Sequence, residues 1–181
     1  VPTAASRRRP RSATTALPPA APIAIGALTA LQVSVGAFLI ALLIGLALAL
    51  VRTFVANRAA QGAIAAWTEW MRNVPALAHL FVLYFGLASI GIRLSPVVAA
   101  CLGLGLVGAA VLCDIFTAGL RSLHTGQREA ALAVGLKPSQ VLRFVLLPQT
   151  LRLTLPSLGN YASQLIKDTS IASAIAVPEI M

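Results

Sequence analysis

Three stretches without a charged side chain limit what this sequence can fold into more than any other feature. No Asp, Glu, Lys or Arg occurs from Ser12 to Val51, from Asn73 to Ile92, or from Leu94 to Cys113. Each stretch reaches the roughly 20 residues that a helix needs to cross the hydrocarbon of a bilayer. A helix suits that setting because it satisfies its own backbone polar groups where no water can. Composition agrees, with 58% apolar and 10% charged residues among 181, against about a quarter charged in soluble domains. Too few polar groups remain to cover a water-exposed surface. The expected fold is all-α: a polytopic helical membrane protein set in the lipid bilayer.

About four spans are predicted. The first, Leu28 to Leu50, is closed by Arg52, and its Ala41, Gly45 and Ala49 recur every fourth residue. That spacing lets a neighbouring helix approach closely. The second runs from about Trp70 to Ile90, with Trp67, Trp70 and Tyr84 as interfacial aromatics. Ser95-Pro96 opens the third, as an N-cap followed by proline at the first helical position, and it continues to about Ala118. A weaker fourth covers about Leu155 to Val177. Gly103-Leu104-Gly105-Leu106-Val107-Gly108 matches a dinucleotide fingerprint by letter. It lies inside a span with no preceding strand, so close helix packing is the reading.

The formal net charge of +9 does not indicate a nucleic-acid partner, because the basic residues occupy a tail and the gaps between apolar runs. If four spans alternate, Arg52, Arg58, Arg72, Arg121, Arg128, Lys137, Arg143 and Arg152 share one side. Arg93 and the tail residues Arg7, Arg8, Arg9 and Arg11 share the other. Residues 1–22 form an Arg-, Pro- and Ala-rich tail expected to be disordered. Discounting it puts the segment 121–152 in the cytoplasm. Cys101 and Cys113 fall in one apolar run and read as structural thiols.

The segment 121–152 has its own pattern. Gln127 to Val134 is a helix former stopped by Gly135, where a C-cap glycine belongs. Lys137-Pro138-Ser139 restarts the chain, Val141, Leu142, Val145 and Leu146 recur at helical spacing, and Pro148 is expected to end this second helix. Two short helices at a glycine turn would offer a rigid knob to a cytoplasmic partner. The chain's two lysines, Lys137 and Lys167, do not follow glycine, so a Gly-x-x-x-x-Gly-Lys phosphate loop is excluded. A His-Glu-x-x-His pair and a Gly-x-Ser-x-Gly elbow are also absent from the sequence. Neither an enzyme nor a cofactor is expected.

Glu129-Ala130-Ala131, then three residues, Gly135, nine residues and Val145-Leu146-Leu147-Pro148 resembles the EAA loop of bacterial ABC-importer permeases, with Val145 where the family prefers Ile. Five segments are similar to the polar-amino-acid branch of that family. They are Arg72-Asn73-Val74-Pro75 with the following Leu80 to Leu87, Gly126-Gln127-Arg128-Glu129-Ala130-Ala131, Leu147-Pro148-Gln149, Leu155 to Asn160, and Lys167-Asp168-Thr169-Ser170-Ile171-Ala172-Ser173. The resemblance implies a multi-pass permease domain over 23–181 in the bacterial inner membrane. Implied partners are cytoplasmic ABC ATPase subunits, a second permease copy or paralogue, and an extracytoplasmic amino-acid-binding protein. By position, Glu129, Ala130, Ala131, Gly135 and Pro148 would belong to the ATPase-coupling loop. Family members continue past Val177-Pro178-Glu179 into a further span. A fifth span is therefore expected to be missing at the C-terminus, and this chain alone to fold poorly and form no competent pore.

Lys167 and Asp168 interrupt span four. Each costs about 2.5–3.5 kcal/mol at mid-membrane, while apolar residues return about 0.3–0.6 each. That span should face protein, water or the interface: either Lys167, Asp168, Thr169 and Ser170 line or gate a translocation path, or Lys167 lies at the inner boundary and Asp168 caps or pairs locally. His79, where the family more often has Gln, is a substrate contact or a hydrogen-bonded packing residue. Asn160 reads as an interhelical hydrogen-bonding group within the same path. Asp114 and Thr117 stand where the family has Glu and Arg, which leaves an ion pair near the inner end of span three unsupported. The alternative function is a channel or secondary transporter with a Lys/Asp gate and no ATPase.

Overall fold

The computed structural model describes residues 20–175. The Arg-rich tail assigned to 1–22 lies almost entirely outside them, as does the Val177–Glu179 region. The described chain is helical. In order it forms α1 (Ala20–Phe54), α2 (Arg58–Asn73), α3 (Ala76–Ser89), α4 (Pro96–Arg121), α5 (Thr125–Ala133) and α6 (residues 138–168). A 3-10 segment, Thr169–Ile175, follows α6.

α4 is the hub. Its N-terminus is set as the sequence implies, with the Ser95 hydroxyl accepting from the Val98 amide and Pro96 at the first turn. Three of its glycines receive three different helices. A Cβ at Gly103 would stand 2.6 Å from Leu80 of α3, and one at Gly105 would stand 2.8 Å from Ile40 of α1. One at Gly108 would collide with the Tyr161 hydroxyl of α6. α1 answers with Val33, Ala37, Ala41, Gly45 and Ala49 at four-residue spacing; the four with side chains are fully buried, and Gly45 abuts Leu112. Small side chains let the two backbones approach where packing, not exclusion of water, drives association. The opposite face of α1 presents Leu28, Leu31, Val35, Leu39 and Leu43 outward, as a lipid-facing surface should.

α1 and α4 run parallel, since Val33 lies by Cys101, Gly45 by Leu112 and Arg52 by Asp114. Their C-terminal ends therefore share one side, and α2 with α3 must carry the chain back across. This return is not the single span expected over Trp70 to Ile90. It is broken at Asn73-Val74-Pro75, and the two helices meet at 99°. The cause is local. Pro75 has no N–H to give the helix, and its ring drives Val74 into an extended conformation (φ −89, ψ 131). α2 is consequently a separate amphipathic helix, capped by the Asn57 side chain and carrying both tryptophans. It packs Ile64, Thr68 and Met71 inward.

By length and apolarity α1 and α4 each suffice to cross a membrane, and the bent α2–α3 pair makes a third crossing if it counts as one. α6 supplies the fourth long helix, beginning ahead of the Leu155 expected from the sequence. Pro148 does not end it. Leu142–Leu146 forms one π-turn, in which the Leu147 amide bonds the Leu142 carbonyl. That turn lets the helix continue past a proline that has no amide to contribute. Two clusters make the main core, one around Val33, Leu80, Leu104 and Leu165, the other around Ala41, Leu112, Phe116 and Leu158.

Candidate functional site

The α5–α6 elbow follows the local rules read in the sequence. Gly135 has φ +87, the left-handed conformation that favours glycine. Its amide bonds the Leu132 carbonyl at 3.0 Å, and the Leu136 amide bonds the Ala131 carbonyl at 3.2 Å. That pair of bonds is a Schellman termination. The Lys137 amide then donates to the Gln140 side chain at 2.8 Å, which starts α6. Ala131, Val141 and Leu146 are buried together, flanked by Leu123, Leu136, Leu142 and Val145. The elbow thus has a core of its own, separate from the two that hold the bundle.

Within it Glu129 and Ala130 are exposed, while Ala131 turns into that small core. Ala131 therefore permits close packing between the elbow's own helices. The outward knob consists of Glu129, Ala130, Leu132 and Val134, the last 79% exposed at the tip. Sequence reasoning did not single out Val134. Its signal is its place as the last apolar residue before the glycine turn. Pro148, beyond the π-turn, is exposed on α6.

The residues assigned to a translocation path fall into two groups. Asn160, Ser163, Gln164 and Lys167 are exposed on α6, and with Ser157 they form a polar stripe along one side of the helix. From Ser157 to Lys167 it rises about 15 Å, half the hydrocarbon thickness. Asp168 accepts from the Gln164 amide nitrogen at 2.9 Å. Thr169 is buried, its hydroxyl turned back to the Ile166 carbonyl at 2.7 Å, and Ser170 is exposed just beyond.

His79 is elsewhere. It is buried, its Nδ1 3.3 Å from the Pro75 carbonyl and its ring edge-on to Trp70 at 5.5 Å. A cavity of about 220 Å³ beside it is lined by Trp70, Met71, Val74, Val82, Gly103 and Leu106 among others, with no α6 residue. His79 braces the bend between α2 and α3 and is not brought together with Asn160 and Lys167.

Asp114 supplies what the sequence left unsupported. Its Oδ1 accepts from Arg52 at 2.6 Å and its Oδ2 from Arg72 at 2.5 Å, which ties the ends of α1, α2 and α4 together. The pairing comes from helices far apart in sequence, so the Asp114–Thr117 spacing carried no sign of it. The Thr117 hydroxyl is buried with no hydrogen-bond partner among the described residues.

Comparison with known proteins places this architecture. Residues 41–179 match the model of the family described as binding-protein-dependent transport system inner membrane component. The probable amino-acid ABC transporter permease protein YckA of Bacillus subtilis is 44% identical over 115 residues, which cover 64% of this chain and 51% of that protein. The glutamine transport system permease protein GlnP of Escherichia coli K12 is 36% identical over 168 residues, 90% of this chain and 75% of that one. This chain thus spans about half the length of YckA and three quarters of the Escherichia coli protein. Among solved structures, an amino acid ABC transporter crystallised with histidines superposes with a TM-score of 0.78 at 27% identity, covering 89% of this chain and 75% of that one. The inward-facing MetNI methionine ABC transporter shares the fold, with a TM-score of 0.76 at 21% identity over 87% of this chain and 76% of that one. The chain belongs to the family of binding-protein-dependent transport system inner membrane components, as a multi-pass protein of the bacterial inner membrane.

Proposed function

We propose that this chain is the permease subunit of an ABC importer for polar amino acids, forming part of the path and coupling to ATPase subunits on separate chains. The observation that carries the reading is the pairing of two features on α6. At one end is the self-contained α5–α6 elbow, with Glu129, Ala130 and Val134 outward. Farther along runs the polar stripe of Ser157, Asn160, Ser163, Gln164 and Lys167. Polar side chains on a membrane helix are costly against lipid and belong against water or another subunit. A second permease copy or paralogue across the stripe would enclose a path between the two. Delivery is by an extracytoplasmic amino-acid-binding protein, a reading supported by the family's description and by the amino-acid permeases named among its relatives. The domain division is a tail over 1–22 and a permease domain over 23–181, with the coupling loop at about 121–152.

The test is reconstitution. The chain should retain an ATPase subunit through purification and, with a binding protein, show ATP hydrolysis stimulated by a polar amino acid. Substrate flux without any retained ATPase would favour the channel or secondary-transporter reading and overturn this one.

A further inference from the structure

α2 begins at Arg58, just after α1 ends at Phe54. Arg52, in the last turn of α1, and Arg72, in the last turn of α2, meet on the two oxygens of Asp114. The far end of α2 therefore returns to the depth at which α1 ends. A helix of 16 residues, about 24 Å long, whose two ends share one depth runs along the membrane surface, in keeping with its 99° break from α3. Around its axis α2 has three faces. Ile64, Thr68 and Met71 face the bundle. Ala59, Ala63, Ala66 and Trp70 form an exposed apolar line, Trp70 being 58% exposed. Arg58, Gly62, Glu69 and Asn73 form an exposed polar line, in which Glu69 accepts from the Asn73 amide nitrogen at 3.3 Å. Ala59, Ala63 and Trp70 each follow a member of the polar line by one residue, so the two lines lie about 100° apart.

We propose that α2 docks in the surface of the bilayer leaflet on the elbow's side, with Ala59, Ala63, Ala66 and Trp70 against lipid chains and Arg58, Glu69 and Asn73 among headgroups and water. The partner is the phospholipid surface itself. Hydrocarbon alone does not suit a helix that carries Arg58 and Glu69 outward, and water alone leaves Trp70 exposed for no gain. An apolar line beside a polar one suits the boundary between them, and tryptophan favours that depth. Charge points the same way. Arg58 stands in the first turn, where a cation opposes the helix dipole. That turn holds no acidic residue, and no ion pair to Arg58 occurs among the described residues. An anionic headgroup supplies the missing counter-charge. The break at Pro75 then marks the place where the chain leaves the surface and turns into the bilayer.

The experiment uses the full chain with Cys101→Ala and Cys113→Ala, purified with the subunits it retains and placed in vesicles of phosphatidylethanolamine and phosphatidylglycerol. Single substitutions Ala59→Cys, Ala63→Cys, Ala66→Cys, Glu69→Cys and Asn73→Cys each carry a nitroxide. Its collisions with oxygen, which concentrates in lipid, are compared with those of a water-soluble nickel chelate. The expected result is oxygen contact severalfold above nickel contact at Ala59, Ala63 and Ala66, and the reverse at Glu69 and Asn73. Arg58→Glu should raise nickel contact at Ala59, and Arg58→Lys should leave it unchanged. Low contact with both reagents at Ala63 and Ala66 would mean that a protein subunit covers the apolar line, and overturns the proposal. Oxygen contact dominating at all five positions would put α2 inside the hydrocarbon, and nickel contact dominating at all five would put it in water; either overturns it too. Unchanged nickel contact in Arg58→Glu overturns the part assigned to anionic headgroups.

Discussion

Asp114→Asn is the most informative single substitution for the fold, because one carboxylate holds three helices. Its two charge-assisted hydrogen bonds are worth about 1.5–3 kcal/mol each when shielded. The Arg52 side chain is 24% exposed, Arg72 49% and Asp114 33%. The Arg72 bond is accordingly discounted to the range of surface pairs, about 0–1 kcal/mol. Asparagine keeps one acceptor and recovers about 1 kcal/mol. The net loss is about 0.5–3 kcal/mol. Arg72→Gln should cost less than Arg52→Gln, and both less than Asp114→Asn. The assay is built in, since both tryptophans, Trp67 and Trp70, sit on α2. Denaturant unfolding in micelles followed by tryptophan emission should show a lower midpoint and an α2 environment that shifts before the bulk helix signal. A midpoint change equivalent to under about 0.5 kcal/mol, with emission unaltered, would refute the reasoning, because that is the scale of an ordinary surface substitution.

Other outcomes follow from the same geometry. Gly135→Val places a β-branched residue at φ +87 and should destabilise the elbow by about 1–3 kcal/mol, read as faster proteolysis between α5 and α6 with the bundle intact. Ser95→Ala removes the cap on the Val98 amide and should cost about 1 kcal/mol in thermal unfolding, while Ser95→Asp should not. Gly45→Leu forces a side chain against Leu112 and the Ala109 carbonyl and should abolish α1–α4 packing, seen as failure to accumulate in the membrane. In a chain with Cys101 and Cys113 replaced by alanine, cysteines at Asn160 and Gln164 should react with a membrane-impermeant thiol reagent, and cysteines at Leu31 and Leu43 should not.

Much of this architecture was legible because membranes impose coarse rules. Charge-free runs located α1 and α4, four-residue spacing of Ala41, Gly45 and Ala49 marked their seam, and Gly135 marked the elbow's turn. The readings that failed were ones where one proline acts against its neighbours. Pro75 was passed over inside a predicted span, yet a missing amide and a displaced Val74 split that span into α2 and α3. Pro148 was read as a stop, yet a single π-turn carries the helix past it. Local sequence does not say which outcome wins, because tertiary packing on α4 decides whether the continued helix is worth keeping. Of the candidate site, the elbow was readable as a motif. The burial of Ala131 and the separation of His79 from the α6 stripe depend on how helices rotate in the bundle. The Asp114 ion pairs join residues 62 and 42 positions away, a distance over which periodicity carries no information.

The central claim is that the exposed elbow is driven by an ATPase on another chain. The most direct measurement places a cysteine at Val134, the tip of the knob, in a chain lacking Cys101 and Cys113, and tests crosslinking to an ATPase subunit in inside-out vesicles. A crosslink whose yield changes when ATP is bound is the expected result. Labelling of that cysteine from the external face of intact cells, with no crosslink to the ATPase, would contradict it.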